Sequence, residues 1–168
     1  MTDEASRLAP PTIRPYTPAD AAPTLRIFER AIGVTARARY TAEQVSAWLG
    51  APRELTEWAT GRQSVHTFVA EIDGVVAGFT DLSDAGYVDR LFVDPEFGRR
   101  GVGGALLAHV IAEADRRGIR SLSTHASLVA EPVFAAAGFA VSFRETVEKD
   151  GQRLDRAFMV RESAPRSD

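Results

Sequence analysis

The chain has no cysteine among its 168 residues. That absence excludes disulfides, cysteine-bound metals and any covalent mechanism through a thiol, so a group transferred by this protein must pass by another route. No apolar run approaches the ~20 residues needed to cross a bilayer. Met1 to Pro11 also lacks the apolar centre of a secretory signal. A cytoplasmic protein with no membrane partner is therefore expected. An excess of positive charge is missing too: 20 Lys and Arg stand against 23 Asp and Glu, for a formal net charge of −3. That balance argues against a chain that holds nucleic acid by general electrostatics. Histidine is scarce. His66 and His109 have no partners at metal-ligand spacing, the acidic residues form no recognised metal motif, and no catalytic metal is expected.

What is present is a chain with 45% hydrophobic residues, enough for one compact core. A single domain over 12–161 is expected, with polar, Pro-containing segments 1–11 and 162–168 as flexible tails. Thr12 to Tyr16 reads as a strand, and Thr17-Pro18 as a cap leading into a helix over Ala21 to Ile32. A second helical stretch begins at Thr41, where Val45, Trp48 and Leu49 share one face. Val65 to Ile72 and Val75 to Leu82 form a hairpin across Asp73-Gly74, and Tyr87 to Val93 adds a further strand that ends at Asp94-Pro95. Val102, Leu106, Leu107, Val110, Ile111 and Ala114 trace an amphipathic helix closed by Gly118. A strand over Ile119 to His125, a short helix over Ala130 to Ala137 and a last hairpin across Asp150-Gly151 complete the order β-α-α-β-β-β-α-β-α-β-β.

The chemical signal lies between the strand ending at Val93 and the helix starting at Val102: Gly98-Arg99-Arg100-Gly101-Val102-Gly103-Gly104. The first N–H groups of a helix lack intrahelical partners and sit at the positive end of its dipole, so they suit a phosphate. Glycines let a ligand approach the backbone, and Arg99 and Arg100 add charge-assisted contacts. Glycines at such a turn also serve the turn alone. A dinucleotide fingerprint belongs after the first strand, with an acidic residue about 20 positions on, and a P-loop needs Gly-Lys-Ser/Thr. Neither pattern is met by a motif that follows several antiparallel strands and closes with Gly103-Gly104-Ala105.

These residues resemble the GNAT acetyltransferases, whose cofactor motif reads Q/R-x-x-G-x-G/A after a strand ending in V-x-P. Val93-Asp94-Pro95 and Gly98 to Gly103 fit that frame. The segment from Ser127 to Phe139 is similar to the family's N-x-x-A-x-x-x-Y-x-x-x-G-F. Tyr40, Gln44, Trp48 and the Asp81-Leu82 pair look closest to the YafP-like branch. The resemblance implies an α/β (α+β) fold: a mixed, mostly antiparallel sheet flanked by helices, with strands splayed at a cofactor cleft. It implies acetyl-CoA as co-substrate, the pantetheine arm pairing with the backbone of Leu91, Phe92 and Val93, and the pyrophosphate held by backbone N–H groups from Gly98 to Gly103. Ser127 takes the place of the pantetheine-contacting Asn. Gly98 stands where Gln or Arg is usual, and Phe134 where many members place a Tyr that protonates the departing thiolate.

By the same resemblance, the reaction is acetyl transfer to a primary amine by direct attack in a ternary complex. The acceptor is a small-molecule amine or a protein amine, and a homodimer is a family-level expectation. The alternative is a CoA-binding sensor or interaction domain with little turnover, prompted by Phe134. An alkyl ammonium must lose a proton before attack. Asp89, two residues before Leu91, and His125, across the splay, are the candidate catalytic groups, although each is also explained as a surface ion pair or a strand-end histidine. Asp81, Asp84 and Tyr87 fall near strand ends where they could touch the acceptor, although a polar turn explains them equally well. Tyr40, Trp48 and Trp58 either line its pocket or pack in the core.

Overall fold

The computed structural model describes residues 9–164, and most of both expected tails lies outside them. The elements are β1 (Thr12–Pro15), α1 (Ala21–Gly33), α2 (Ala42–Leu49), α3 (Leu55–Gln63), β2 (His66–Ile72), β3 (Val75–Leu82), β4 (Tyr87–Val88), β5 (Leu91–Val93), α4 (Val102–Arg117), β6 (Ser121–Ser127), α5 (Glu131–Ala136), β7 (Ala140–Lys149) and β8 (Gln152–Glu162). The tail expected from Glu162 onward thus starts at the last residue of β8, where Glu162 pairs with Ser121. No helix among the described residues is long and apolar enough to cross a membrane.

The strands form two four-stranded sheets in the orders β1-β2-β3-β5 and β4-β6-β8-β7. All neighbours are antiparallel except β4 and β6, which run parallel. Helix α4 packs under the seam. Its Leu107 and Val110 join Phe68, Leu122 and Met159 in one buried cluster, while Val102 and Leu106 join Ala70 and Ala77 in another. Helix α1 buries Ile27, Phe28, Ala31 and Ile32 at helical spacing, and Ile27, Phe28 and Ile32 meet Trp58 and Phe79 on the other face of the first sheet. The Thr41–Gln44 capping box starts α2: Gln44 N–H donates to Thr41 Oγ1 and Thr41 N–H to Gln44 Oε1.

Two sequence expectations are corrected. Helix α3 was not foreseen, because it turns only Trp58 and Arg62 fully inward and a buried arginine does not register as an apolar period. The expected strand from Tyr87 to Val93 is two strands, belonging to different sheets.

The break has a specific cause. Asp81, at the end of β3, is 2% exposed and its Oδ1 accepts the backbone N–H groups of Asp89 (2.8 Å) and Arg90 (3.2 Å). Its Oδ2 accepts from Arg62 at 2.8 Å. Thr80 Oγ1 and Asp81 N–H both donate to the Arg90 carbonyl, at 2.8 and 3.3 Å. The chain is thereby bent at Asp89-Arg90, and the two sheets diverge beyond it. Burial pushes the Asp81 carboxyl upward, against the opposing pull of Arg62 and the two amides. Asp81 is thus neither an acceptor contact nor part of an exposed polar turn but a buried pin behind the site.

Gly78 allows the other close approach. A Cβ there would lie 2.9 Å from the Phe92 carbonyl oxygen and 3.0 Å from Val102 Cγ1, so β5 and α4 close on β3 only because the side chain is absent. Thermal or urea unfolding should show Gly78→Ala losing about 1–3 kcal/mol by overpacking. Gly61→Ala, with nothing within 4 Å in the interior of α3, should gain about 0.5–1 kcal/mol. Asp81→Asn leaves Arg62 buried without its counter-charge and should cost about 3–5 kcal/mol in the same assay. Loss below 1 kcal/mol would show that the pair does not hold the corner.

Candidate active site

Beyond the corner, β5 bonds to β3 on one side only. Bonds to β3 are made at Arg90 and Asp94, through Asp81 N–H to the Arg90 carbonyl and Asp94 N–H to the Ala77 carbonyl. In an antiparallel ladder the direction alternates, so Phe92 also faces β3 while the N–H and C=O of Leu91 and Val93 point to the open edge. Across the gap, β6 pairs with β4 only at Ser123 and Thr124, leaving His125 to Ser127 unpaired on that side. Two strand edges with unused amide groups therefore face each other across a wedge, which suits an extended amide-bearing ligand.

A cavity of about 330 Å³ runs along one side of the wedge. Leu91, Phe92, Val93, Gly98, Arg99, Gly101, Val102, Gly103, Gly104 and Ser127 all line it, as the sequence reading expected of cofactor-binding residues. Arg100 does not, and Phe134 lines only an adjoining cavity. The Arg100 guanidinium lies over Phe97, 5.4 Å from the ring centroid, and Phe134 is 2% exposed, packed edge-on to Phe139.

The glycines divide by role. Gly101 has φ 75° at the N-cap of α4, a left-handed conformation that strains any residue with a Cβ. A Cβ on Gly103 would lie 3.2 Å from Val133 Cγ1, so this glycine serves the packing of α4 on α5. Gly104 has nothing within 4 Å and faces open space. Arg99 also adopts a positive φ, 60°, in the turn that aims the helix start at the cavity. No side chain caps α4, and the first backbone N–H to bond back is that of Ala105, to the Gly101 carbonyl. The amides before it are available to an anion. Ser127 Oγ accepts the Ala130 N–H at 3.1 Å, capping the turn into α5.

A second cavity, of about 380 Å³, opens from the same wedge and shares Trp48, Leu91, Phe92, Ser127 and Ala130 with the first. Asp89 and His125, the two candidate catalytic residues, both line it, as do Tyr87, Tyr40 and Trp48. His125 Nδ1 is 2.7 Å from the Tyr87 hydroxyl, and Nε2 is 3.6 Å from Glu145, which in turn accepts from Arg156 Nε at 2.7 Å. Burial first, then Arg156, lowers the His125 pKa, so the ring is neutral at pH 7. Asp89 is more open: its side chain is 58% exposed and its Oδ2 is 3.8 Å from Arg90 Nε.

Other sequence candidates sit elsewhere. Asp84 bonds His66 at 2.7 Å, and neither lines these cavities. Trp58 is core, its Nε1 donating to Thr24 Oγ1. Tyr87, which bonds His125, and Glu145, which lies near it, are not brought together by the sequence because they come from β4 and β7, far apart in the chain. No group of three or more His, Asp or Glu is arranged to hold a metal among the described residues.

Comparison with known proteins agrees with this geometry. Residues 36–155 match the family model described as "Acetyltransferase (GNAT) domain". The chain is 35% identical over 147 residues to the uncharacterized N-acetyltransferase YafP of Escherichia coli, covering 88% of this chain and 93% of that protein. A GCN5-related N-acetyltransferase from Rhodopseudomonas palustris superposes with a TM-score of 0.86 at 32% identity, over 93% of this chain and 98% of that one. The PaiA N-acetyltransferase of Thermoplasma acidophilum, solved with coenzyme A, shares the fold at a TM-score of 0.74 and 17% identity, over 92% of this chain and all of that one (100%). The wedge between β5 and β6, the glycine turn before α4 and these matches together show that the chain belongs to the GNAT acetyltransferase family.

Proposed function

We propose that this protein transfers the acetyl group of acetyl-CoA to a primary amine by direct attack in a ternary complex. The observation that carries this reading is the wedge itself: an unpaired β5 edge and the uncapped start of α4 line one cavity, and a second cavity meets it at Leu91. The residues present fit the co-substrate. Leu91 and Val93 supply outward amide groups for a pantetheine arm, the α4 amides and Arg99 supply donors for the pyrophosphate, and Gly104 leaves that approach open. When bound, the co-substrate supplies the activated thioester.

The protein's own groups then do the following. The Leu91 N–H, facing the wedge, is placed to stabilise the developing oxyanion; Phe92 N–H is not, since it faces β3. His125, neutral and with Nδ1 at the Tyr87 hydroxyl, takes the proton from the acceptor ammonium on Nε2. Asp89, open at the rim, attracts that ammonium. Phe134 has no proton to give, so the thiolate leaves without help from that position. We place the activity in the cytoplasm, in keeping with the cysteine-free composition. The exposed Val141 and Phe143 on edge strand β7 support the homodimer expected from the family.

A second reading, a CoA-responsive module with little turnover, is favoured by Phe134 alone. Acetyl-CoA bound tightly, with no thiol released across a panel of primary amines, would support it.

Calorimetry should show acetyl-CoA binding that neither ATP nor NAD displaces. In Gly104→Glu, a carboxylate enters the phosphate approach and affinity should fall by about a hundredfold with the fold intact by circular dichroism. Unchanged affinity would remove the cofactor assignment. For turnover, kcat/KM should rise with pH along an acid limb whose midpoint lies below the ordinary histidine value of about 6.5, since only the neutral ring accepts a proton. His125→Gln should abolish that limb. A limb that persists in this variant would move the base to Asp89.

A further inference from the structure

The floor of the second cavity is aromatic, built from Phe28, Trp48 and Phe92, yet two guanidinium groups lie on it. Arg53 sits 4.4 Å and Arg90 5.0 Å from the Phe28 ring centroid, and Arg90 is also 5.0 Å from that of Trp58. Cation–π contact holds these groups in place but leaves their charge and hydrogen-bonding donors largely unspent.

Two neighbouring arginines are neutralised by carboxylates and these two are not; Lys149, which also lines the cavity, donates to the Trp48 carbonyl at 2.8 Å. Arg62 is paired with Asp81, and Arg156 with Glu145. Arg53 has no carboxylate within 4.0 Å among the described residues, and its Nη1 donates only to the Leu49 carbonyl. Arg90 Nε is buried without a hydrogen-bond partner among the described residues, and its nearest carboxylate, Asp89, is 3.8 Å away and largely in water. The remaining acids lining the cavity, Glu148 and Asp155, are exposed. A partly buried guanidinium without a counter-charge is costly to hold. Burial, together with Arg62 and Arg53, lowers the Arg90 pKa, which is the signature of that cost.

We propose that the acceptor amine also bears an oxyanion, a carboxylate or phosphonate, on an apolar body, and that Arg90 and Arg53 bind that anion and determine specificity. The inference rests on reading this cavity as the acceptor site. Arg90 immediately precedes Leu91, whose N–H faces the wedge. An anion held by Arg90 therefore leaves the amine of a compact amino acid close to the thioester. The planar donor fork of arginine matches an oxyanion in a way lysine does not, and the aromatic floor accommodates the apolar body.

The test uses the full chain with CoA saturating. N-acetylphenylalanine, its phosphonate analogue and N-acetylphenylalaninamide, product analogues that differ in the anionic group, are titrated by calorimetry. At least one anion should bind at least about tenfold more tightly than the amide, and the better of the two identifies the oxyanion. Arg90→Met keeps an unbranched stem over Phe28 and should bring the ratio close to one. Arg53→Met, at the less enclosed position, should reduce it and serves if the first variant does not fold. Equal affinity for anion and amide, no binding of either anion, or a ratio kept in a folded variant overturns the proposal. A separate titration with CoA alone distinguishes the two levels. If CoA binds and the anions gain nothing, the specificity falls and acetyl transfer stands. If CoA fails to bind while the anions keep their preference, the anion site stands and the transferase reading falls.

Discussion

The site depends on one buried carboxylate. Asp81 accepts two consecutive backbone N–H groups and a guanidinium, and so holds the chain bent where β4 passes into β5. Without that bend, Tyr87 to Val93 would run as a single strand and close the gap to β6. With it, β4 pairs with the second sheet, β5 with the first, and the edges beyond are left unbonded. Unused strand edges invite association with other chains. Here they lie inside a wedge flanked by α4 and α5, where only a slender ligand can pair with them.

Several features that look like cofactor chemistry are divided between ligand and packing. Gly103 lets α4 meet α5, Gly101 turns the backbone into the helix, and Gly104 leaves open space at a helical φ. Gly78, outside any motif, is as necessary, because it brings β5 and α4 against β3. The second cavity is organised likewise. His125 is bonded by Tyr87 of β4 and lies near Glu145 of β7, while Arg53 and Arg90 lie on a ring contributed by α1. Each group is placed by contacts between elements remote in the chain, so the chemistry follows from the packing of the two sheets on their helices.

Local patterns were legible because they need only neighbours in the chain. The hairpin at Asp73-Gly74, the Thr41–Gln44 cap and the Gly118 stop are read from a few adjacent residues. The strand, glycine turn and helix between Leu91 and Arg117 are equally local, and most of the residues singled out there line one cavity. Helix α3 escaped because its inward Arg62 is satisfied by Asp81, a partner 19 residues away. The burial of Asp81 is not legible either, because a lone acidic residue at a strand end reads equally as an acceptor contact or as part of a polar turn.

By itself, the sequence determined the class of chemistry available: a cysteine-free chain, not basic overall, with a glycine turn at a helix start after antiparallel strands. The physical reason is that amide donors, glycine freedom and the lack of a thiol are properties of local backbone and composition. Only the tertiary structure decided where the sheet splits, which amides face the gap and which charges remain unpaired. Those are sums over contacts among residues far apart in the chain. Arg90 shows the difference: in the sequence it is one more arginine beside an aspartate, and in the fold it is a partly buried cation on an aromatic floor, beside the wedge and without a full partner.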